Sequence, residues 1–442
     1  MMHQDIAVYL LEQLQKKGAD DVVVQLGAAE TQLLKFSNSK ISTTKAWNAT
    51  TLTVFAVKNQ RIMLSSLKTL TKDAAKELAE HMAKSLNKIQ PNKEYQGIAK
   101  GPCTYKKIPE LYDPKIEHMD EEMIAMLKQA MDAAQKKAKR TAGTFEKNTG
   151  EIYLLTSNGV EANEKGTSLY FSLRALVDKN SSGYSSAVSR MKSKLDMVST
   201  AEEAAAIAKQ ATLPKRTLSG TYDVLFAPHA FAAMIERMAD SASIFSVESG
   251  LSCLQGKKNE QLAPSKVSIY DDATIANGYG STPFDDEGTP TQKNAIIENG
   301  IMKNYLHNAS TAKRYKTKST GNAGLISPRI HNVSMKAGDY TKEELITSIK
   351  KGVYITNVWY TRFNNYQTGD FSTIPRDGAF YIENGKIRHA LKDIRISENM
   401  LNIIKNISKL GKEIKQVKSW EVDIPTFVPH AVVKDVHITS PE

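Results

Sequence analysis

Apolar positions in the first hundred residues change period from helical to alternating and back. Ala7, Leu10, Leu11 and Leu14 recur at three and four, the spacing of one helix face. The runs "DDVVVQLG", "TQLLKFSNSKIST" and "ATTLTVFAVKNQRIMLSS" then alternate with a period of two and are rich in β-branched residues. They predict three strands, broken by turn residues at Gly27 and at Ser37-Asn38-Ser39. Lys72 to Leu86 returns to helical spacing, so residues 1–87 read as a small α+β unit.

Pro91, Pro102, Pro109 and Pro114 mark Lys88 to Asp113 as a linker or irregular crossover. Beyond it Ile116, Met119, Met123, Leu127, Ala130, Met131 and Ala134 predict one long amphipathic helix reaching about Arg140. Strand patterns follow in "EIYLLTSNGVEANE", "TSLYFSLRALVD" and "SGYSSAVSR", with Asn158-Gly159 as a hairpin turn. "TAEEAAAIAKQAT" predicts a short helix with Thr200 as its N-cap, and "LPKRTLSG" marks a boundary. Residues 88–213 thus form a middle subdomain. From 214 to 442 long strands and turns dominate. "AIIENGIMKNYL" and "AFYIENGKIRHAL" both place Asn-Gly between alternating strands, where a tight turn needs the positive φ that Asn and Gly tolerate. The fold class is α+β: a mixed helix and sheet region, then a C-terminal domain built on a large antiparallel sheet or open barrel.

Composition adds bounds. A chain of 442 residues is too long for one core. It is 41% hydrophobic and 24% charged, as in ordinary globular proteins. The net charge of +11 comes from lysines dispersed along the chain, a pattern of solubility more than of a nucleic-acid face. Two cysteines, Cys103 and Cys253, exclude a disulfide framework and a Cys-rich zinc site and suit a reducing cytoplasm. Glu12 and Gln13 interrupt what a signal peptide would need, and no run approaches the ~20 apolar residues of a membrane span. The expected setting is therefore cytoplasmic, with no membrane partner.

Three stretches carry candidate chemistry. "PHAFAAMIERMADSAS" reads as a helix with Phe231, Met234, Ile235 and Met238 on one face and His229, Glu236 and Asp240 on the other. His229 and Glu236 are about 10.5 Å apart along the axis, too far to share a metal ion. Glu236 and Asp240 could share one, with a distant residue such as His307, yet two carboxylates alone are a poor zinc site. The plainer alternative is a solvated or interface face. "STPFDDEGTP" sets Asp285, Asp286 and Glu287 before a glycine without the alternating ligands of a calcium loop, and reads as a polar turn. "TAKRYKTKSTGNAG" carries Lys313, Arg314, Lys316 and Lys318 around Tyr315, able to grip phosphates and stack a base. A charged strand edge is the competing reading. The nine histidines form no HExxH or HxH pair, and no GxSxG elbow occurs.

The C-terminal half resembles the TldD/TldE (PmbA) family, long labelled modulators of DNA gyrase. The resemblance rests on "GYGSTPFDDEGTPTQKNAIIENGIMKNYLHNASTAKRYKTKSTGNAG" and "TGDFSTIPRDGAFYIENGKIRHAL", and extends to "LLKFSNSKISTTKAWNATTLTVFAVKNQRI" near the start. It implies a cytoplasmic two-subunit peptidase for unfolded or extended peptides. TldD-type subunits carry zinc on an HExxxH helix and a later cysteine; TldE-type subunits lack those ligands. Laid on that helix, this chain has Glu236, Arg237 and Ser241 at the H, E and H positions, and no cysteine follows Cys253. Arg237 stays protonated and cannot serve as a general base. The resemblance therefore implies a TldE-type chain with no cofactor of its own, zinc being expected in a TldD-type partner. Its substrate groove, where a peptide strand would add to a sheet edge, is expected at Thr282, Glu287, Gly288, Ser319, Thr320, Gly321, Thr368, Gly369 and Asp370. A homodimeric peptide-binding module is the alternative. Nucleic acid is a less favoured partner, because Lys313–Lys318 lies within a block shared with the peptidases.

Overall fold

The computed structural model describes residues 3–441. Its N-terminal part builds one six-stranded antiparallel sheet from two similar halves. The first half is α1 (Gln4–Lys16), β1 (Asp21–Ser37), β2 (Lys40–Lys58), β3 (Arg61–Leu67) and α2 (Lys72–Leu86). After a short helix α3 (Pro114–Glu117), the second half repeats that order. It runs α4 (Asp120–Gln135), β4 (Arg140–Thr156), β5 (Glu161–Asp178), β6 (Ser181–Ser189) and α5 (Met197–Gln210). The strand order β3-β2-β1-β4-β5-β6 places β1 and β4 at the centre, paired antiparallel from Val23↔Thr156 to Phe36↔Gly143. Segments 1–87 and 88–213 therefore contribute three strands each to a single sheet.

Alternation fixes which face is covered. Val22, Val24, Leu26, Leu34 and Phe36 of β1 point to one side, with Leu155 and Phe145 opposite them on β4. Helices α1 and α2 cover one end of that face and α4 and α5 the other, giving two neighbouring cores. The opposite face turns toward the C-terminal lobe.

Several local expectations are corrected here. Strand β1 runs unbroken through Gly27, which is paired with Thr51 on one side and Ile152 on the other, so ladder hydrogen bonds override its turn propensity. The long helix is shorter and is split by His118–Met119 into α3 and α4. The cap of α5 is Asp196, whose carboxylate accepts the Ser199 N–H at 2.9 Å; Thr200 lies inside the helix and donates to the Asp196 carbonyl. The Asn-Gly turns at Asn299-Gly300 and Asn384-Gly385 form as expected, with positive φ at all four residues.

The C-terminal lobe opens with β7 (Gly220–Phe226), leading at Pro228 into α6 (Pro228–Asp240), followed by the short α7 (Ile244–Glu248). Two sheets curl around α6 as a half-barrel. The first contains β8 (Ile269–Asp272), β9 (Lys293–Glu298), β10 (Ile301–Met302), β11 (Val333–Met335), β19 (Lys415–Ser419) and β20 (Val422–Val428). The nine-stranded second sheet joins β7 to β12 (Lys351–Ile355), β13 (Val358–Asn365), β14 (Asp370–Pro375), β15 (Ala379–Glu383), β16 (Lys386–Ala390), β17 (Arg395–Asn399), β18 (Ile407–Leu410) and β21 (Ala431–Thr439). The expected all-antiparallel pattern holds except at two places. β7–β12 and β11–β20 pair parallel, each across a long connection of the kind a parallel pair requires.

Candidate functional site

Helix α6 begins where Pro228, lacking an N–H, fits the first turn, and its apolar stripe enters the core of the half-barrel. Of the expected solvated or interface face, His229 meets the other lobe and Asp240 is exposed, while Glu236 is buried. Ala230, Ala232, Ala233 and Ala239 make the helix narrow enough for strands to close on the remaining faces, so His229 and Glu236 are buried and only Asp240 is exposed. His229 Nε2 accepts the backbone N–H of Ser186 at 3.1 Å, and Tyr184 meets the ring edge-on at 5.7 Å. Ser186 Oγ in turn donates to the Lys418 carbonyl at 2.8 Å. Burial, then the nearby Lys415 charge, push the imidazole down to about 3, so His229 is a neutral joint between the lobes.

The three residues that the resemblance set at zinc-ligand positions, Glu236, Arg237 and Ser241, are each committed elsewhere. Glu236 Oε1 accepts the Ile424 N–H at 3.2 Å; its other oxygen is buried without a hydrogen bond. Burial raises this carboxyl to about 7. Arg237 Nη2 lies 3.7 Å from Glu421 Oε1. That buried carboxylate also receives the N–H groups of Tyr360 at 3.0 Å and Thr361 at 2.6 Å, and Arg362 at 2.8 Å. Ser241 Oγ donates back to the Arg237 carbonyl at 2.9 Å. A guanidinium, a hydroxyl and one buried carboxyl are the wrong donor set for zinc. His307 faces Thr311 and Tyr315, and among the described residues no three His, Cys, Asp or Glu side chains are placed to hold a metal. The residues at this helix therefore do not fit the ion.

The residues expected to form the groove fall into three places. Thr368, Gly369 and Asp370 close the turn between β13 and β14, where Thr368 Oγ1 donates to Asp370 at 2.6 Å. A Cβ on Gly369 would lie 3.0 Å from that of Cys253, so this turn packs beside the end of α6. Of the other six, Thr282, Glu287 and Gly288 lie at the junction of the lobes, while Ser319, Thr320 and Gly321 pack within the C-terminal lobe. Glu287 is buried and accepts N–H groups from Ala99 at 3.3 Å and Ala309 at 3.2 Å, and burial holds its carboxyl well above the ordinary range. Gly288, at φ 78°, is pressed against Val160 of the first lobe. Thr320 Oγ1 donates to the His307 carbonyl at 2.9 Å and accepts its N–H at 2.8 Å. Ser319 Oγ accepts the Gly321 N–H at 3.3 Å, and the Gly321 carbonyl faces His331 Nε2 at 3.0 Å.

Two other sequence readings change. The acidic triplet forms the expected polar turn, closed by the Gly288 N–H on the Asp285 carbonyl at 2.9 Å, but Asp285 and Glu287 are buried in it at the lobe junction. Asp285 accepts N–H groups from Glu287 at 3.0 Å, Thr289 at 2.8 Å and Ala323 at 2.9 Å, and burial raises its carboxyl to about 7. The basic stretch lies not on a strand edge but on and after helix α8 (Ala309–Arg314), capped by Asn308. Arg314 pairs with Glu248 and donates to the Glu94 carbonyl at 3.1 Å, so it is committed to structure.

Thr282 lines a cavity of about 640 Å³ between the lobes. Its hydroxyl donates to Glu164 of β5 at 2.7 Å, and Glu164 lies 3.5 Å from Arg190. Glu164, Arg190 and His331 line this cavity and were not singled out by the sequence. They are scattered along the chain, and only the packing of the two lobes gathers them.

Comparison with known proteins accords with this architecture. A family model described as the PmbA/TldA metallopeptidase C-terminal domain matches residues 219–440, and the central-domain model of the same family matches 114–212. A metalloprotease of Methanocaldococcus jannaschii is 36% identical over 173 residues, 37% of each chain. An uncharacterized protein of the same organism is 30% identical over 338 residues, 74% of each chain. The chain spans less than half the length of the first four curated relatives it matches. The crystal structure of TldE from Thermococcus kodakarensis superposes with a TM-score of 0.89 at 22% identity, over 98% of this chain and all of that one, a likeness of fold.

Proposed function

The chain belongs to the PmbA/TldD metallopeptidase family, and from that premise we propose that it is a TldE-type subunit of a heteromeric zinc peptidase. The partner, a TldD-type chain, supplies the metal. This chain shapes half of the enclosure and part of the surface along which an extended peptide lies. One observation carries the reading: at the helix where the family's zinc ligands are expected, Arg237 is paired to Glu421, Ser241 is bonded to its own helix, and Glu236 is buried against Ile424. Curated relatives named metalloproteases support membership of a peptidase system without assigning the chemistry to this polypeptide.

Co-expression with a TldD-type protein from the same genome, followed by size-exclusion chromatography and cleavage of an unstructured peptide, tests the proposal. Co-elution, zinc in the complex but not in this chain alone, and cleavage only by the pair are expected. Separate elution with cleavage unaffected by this chain refutes it. Self-association with peptide binding and no cleavage would favour the homodimeric module instead.

A further inference from the structure

One buried carboxylate ties α6 to both sheets of the half-barrel. Glu421 stands in the turn between β19 and β20, and its two oxygens accept the N–H groups of Tyr360 at 3.0 Å and Thr361 at 2.6 Å. Those two residues belong to β13, the edge strand of the nine-stranded sheet. They are skipped in its pairing with β14, where Trp359↔Ile374 is followed by Arg362↔Ser372. Tyr360 is held at φ 56°, a left-handed conformation that is costly for a tyrosine and is often kept at ligand sites. Its ring is half exposed, and Trp420, next to Glu421 in the turn, is 72% exposed.

The charges around this carboxylate do not balance. Arg362 Nη1 donates to Glu421 Oε1 at 2.8 Å, and Arg237 Nη2 approaches the same oxygen at 3.7 Å, so two guanidiniums share one negative charge. Among the described residues neither forms an ion pair with a second acid. Asp240, one turn along α6, feels the Arg237 charge without bonding to it. Arg362 Nη1 also serves the Thr361 carbonyl at 2.7 Å, which leaves Nε and Nη2 without an acceptor on a half-exposed side chain. Those two N–H groups form the side-on fork that matches a carboxylate. Arg237 makes no hydrogen bond: its Nε is sealed from solvent, while its two terminal nitrogens are not. The Tyr360 ring lies 6.0 Å from the Arg362 guanidinium, so an apolar wall stands beside the free fork.

We propose that Arg362, backed by the Arg237 charge, binds a carboxylate of a peptide, with the Nε–Nη2 fork taking both oxygens and Tyr360 and Trp420 flanking the residue that bears them. A chain-terminal carboxylate and an aspartyl or glutamyl side chain share this chemistry. The inference stands apart from the heteromeric reading, because it is measured on this chain alone and its failure leaves that reading untouched.

Titration calorimetry at low salt tests it, with four probes: acetyl-Ala-Ala-Phe bearing a free carboxylate, its C-terminal amide, acetyl-Ala-Glu-Phe amide and inorganic phosphate. Saturable binding of either acid, at least tenfold tighter than that of the neutral amide or of phosphate, is expected; which acid binds identifies the source. Arg362→Gln should weaken that binding about tenfold or more, by removing charged hydrogen bonds. Trp420→Ala changes a side chain that is largely in solvent and should weaken it several-fold, so it decides the matter if Arg362→Gln does not fold. Absence of binding by both acids, equal affinity for the amide or phosphate, or binding undiminished in a folded variant overturns the proposal.

Discussion

The carboxyl of Glu236 takes the N–H of Ile424 on one oxygen and nothing on the other. Because burial raises it to about 7 from an ordinary 4.5, the folded chain takes up a proton between those values. Stability therefore falls as pH rises through that window. Glu236→Gln keeps an acceptor for Ile424 and removes the charge. Urea unfolding should show the variant equal to the parent near pH 4.5 and more stable, by roughly 2 to 3 kcal/mol, at pH 8.

Burial likewise raises Asp285 to about 7, but its expected response to amidation is the opposite. Its two oxygens are both occupied by backbone donors, from Glu287, Thr289 and Ala323. In Asp285→Asn an amide NH₂ must face one of those N–H groups, so at pH 8 the variant should be less stable by about 2 kcal/mol or more. Parallel urea titrations of both variants check the contrast.

His229 works in the other direction. Its folded value near 3 lies below the ordinary 6.5, so its contribution is present above pH 6.5 and is lost as pH falls toward 3. Protonation also turns the acceptor of the Ser186 N–H into a donor. His229→Gln, with a side-chain acceptor that does not titrate, should flatten the acid limb of a stability profile by several kcal/mol. If the acid limb is unchanged, His229 is not its source.

Gly288 tests the lobe junction. Its φ of 78° disfavours any side chain, and a Cβ would come within 2.3 Å of Val160 Cγ1. Gly288→Ala should destabilise by about 2 kcal/mol or more in thermal unfolding, whereas Gly150→Ala, with room for a methyl group, should be tolerated.

Much of the architecture was readable from local pattern. Lys72–Leu86 and the hairpins at Asn158-Gly159, Asn299-Gly300 and Asn384-Gly385 stand where period and turn chemistry put them. On α6, a solvated or interface face was legible, but the burial of Glu236 was not, because two acids and a histidine on one side resemble a polar surface. The alanines between them were the overlooked signal that strands approach from all sides. Gly27 failed for a related reason: a glycine's turn propensity says nothing about a ladder on both flanks.

By itself the sequence determined the α+β class, the successive elements, and which residue types stand on α6; no fold can make Arg237 or Ser241 behave as a histidine or a general base. Tertiary structure decided what those types do. Pairing β1 with β4 joins Val23 to Thr156, and the lobe contact sets Thr282 over Glu164. Such partners are distant along the chain and carry no local mark of one another. Burial then settles the rest, making Glu236 a half-satisfied acid and His229 a neutral joint.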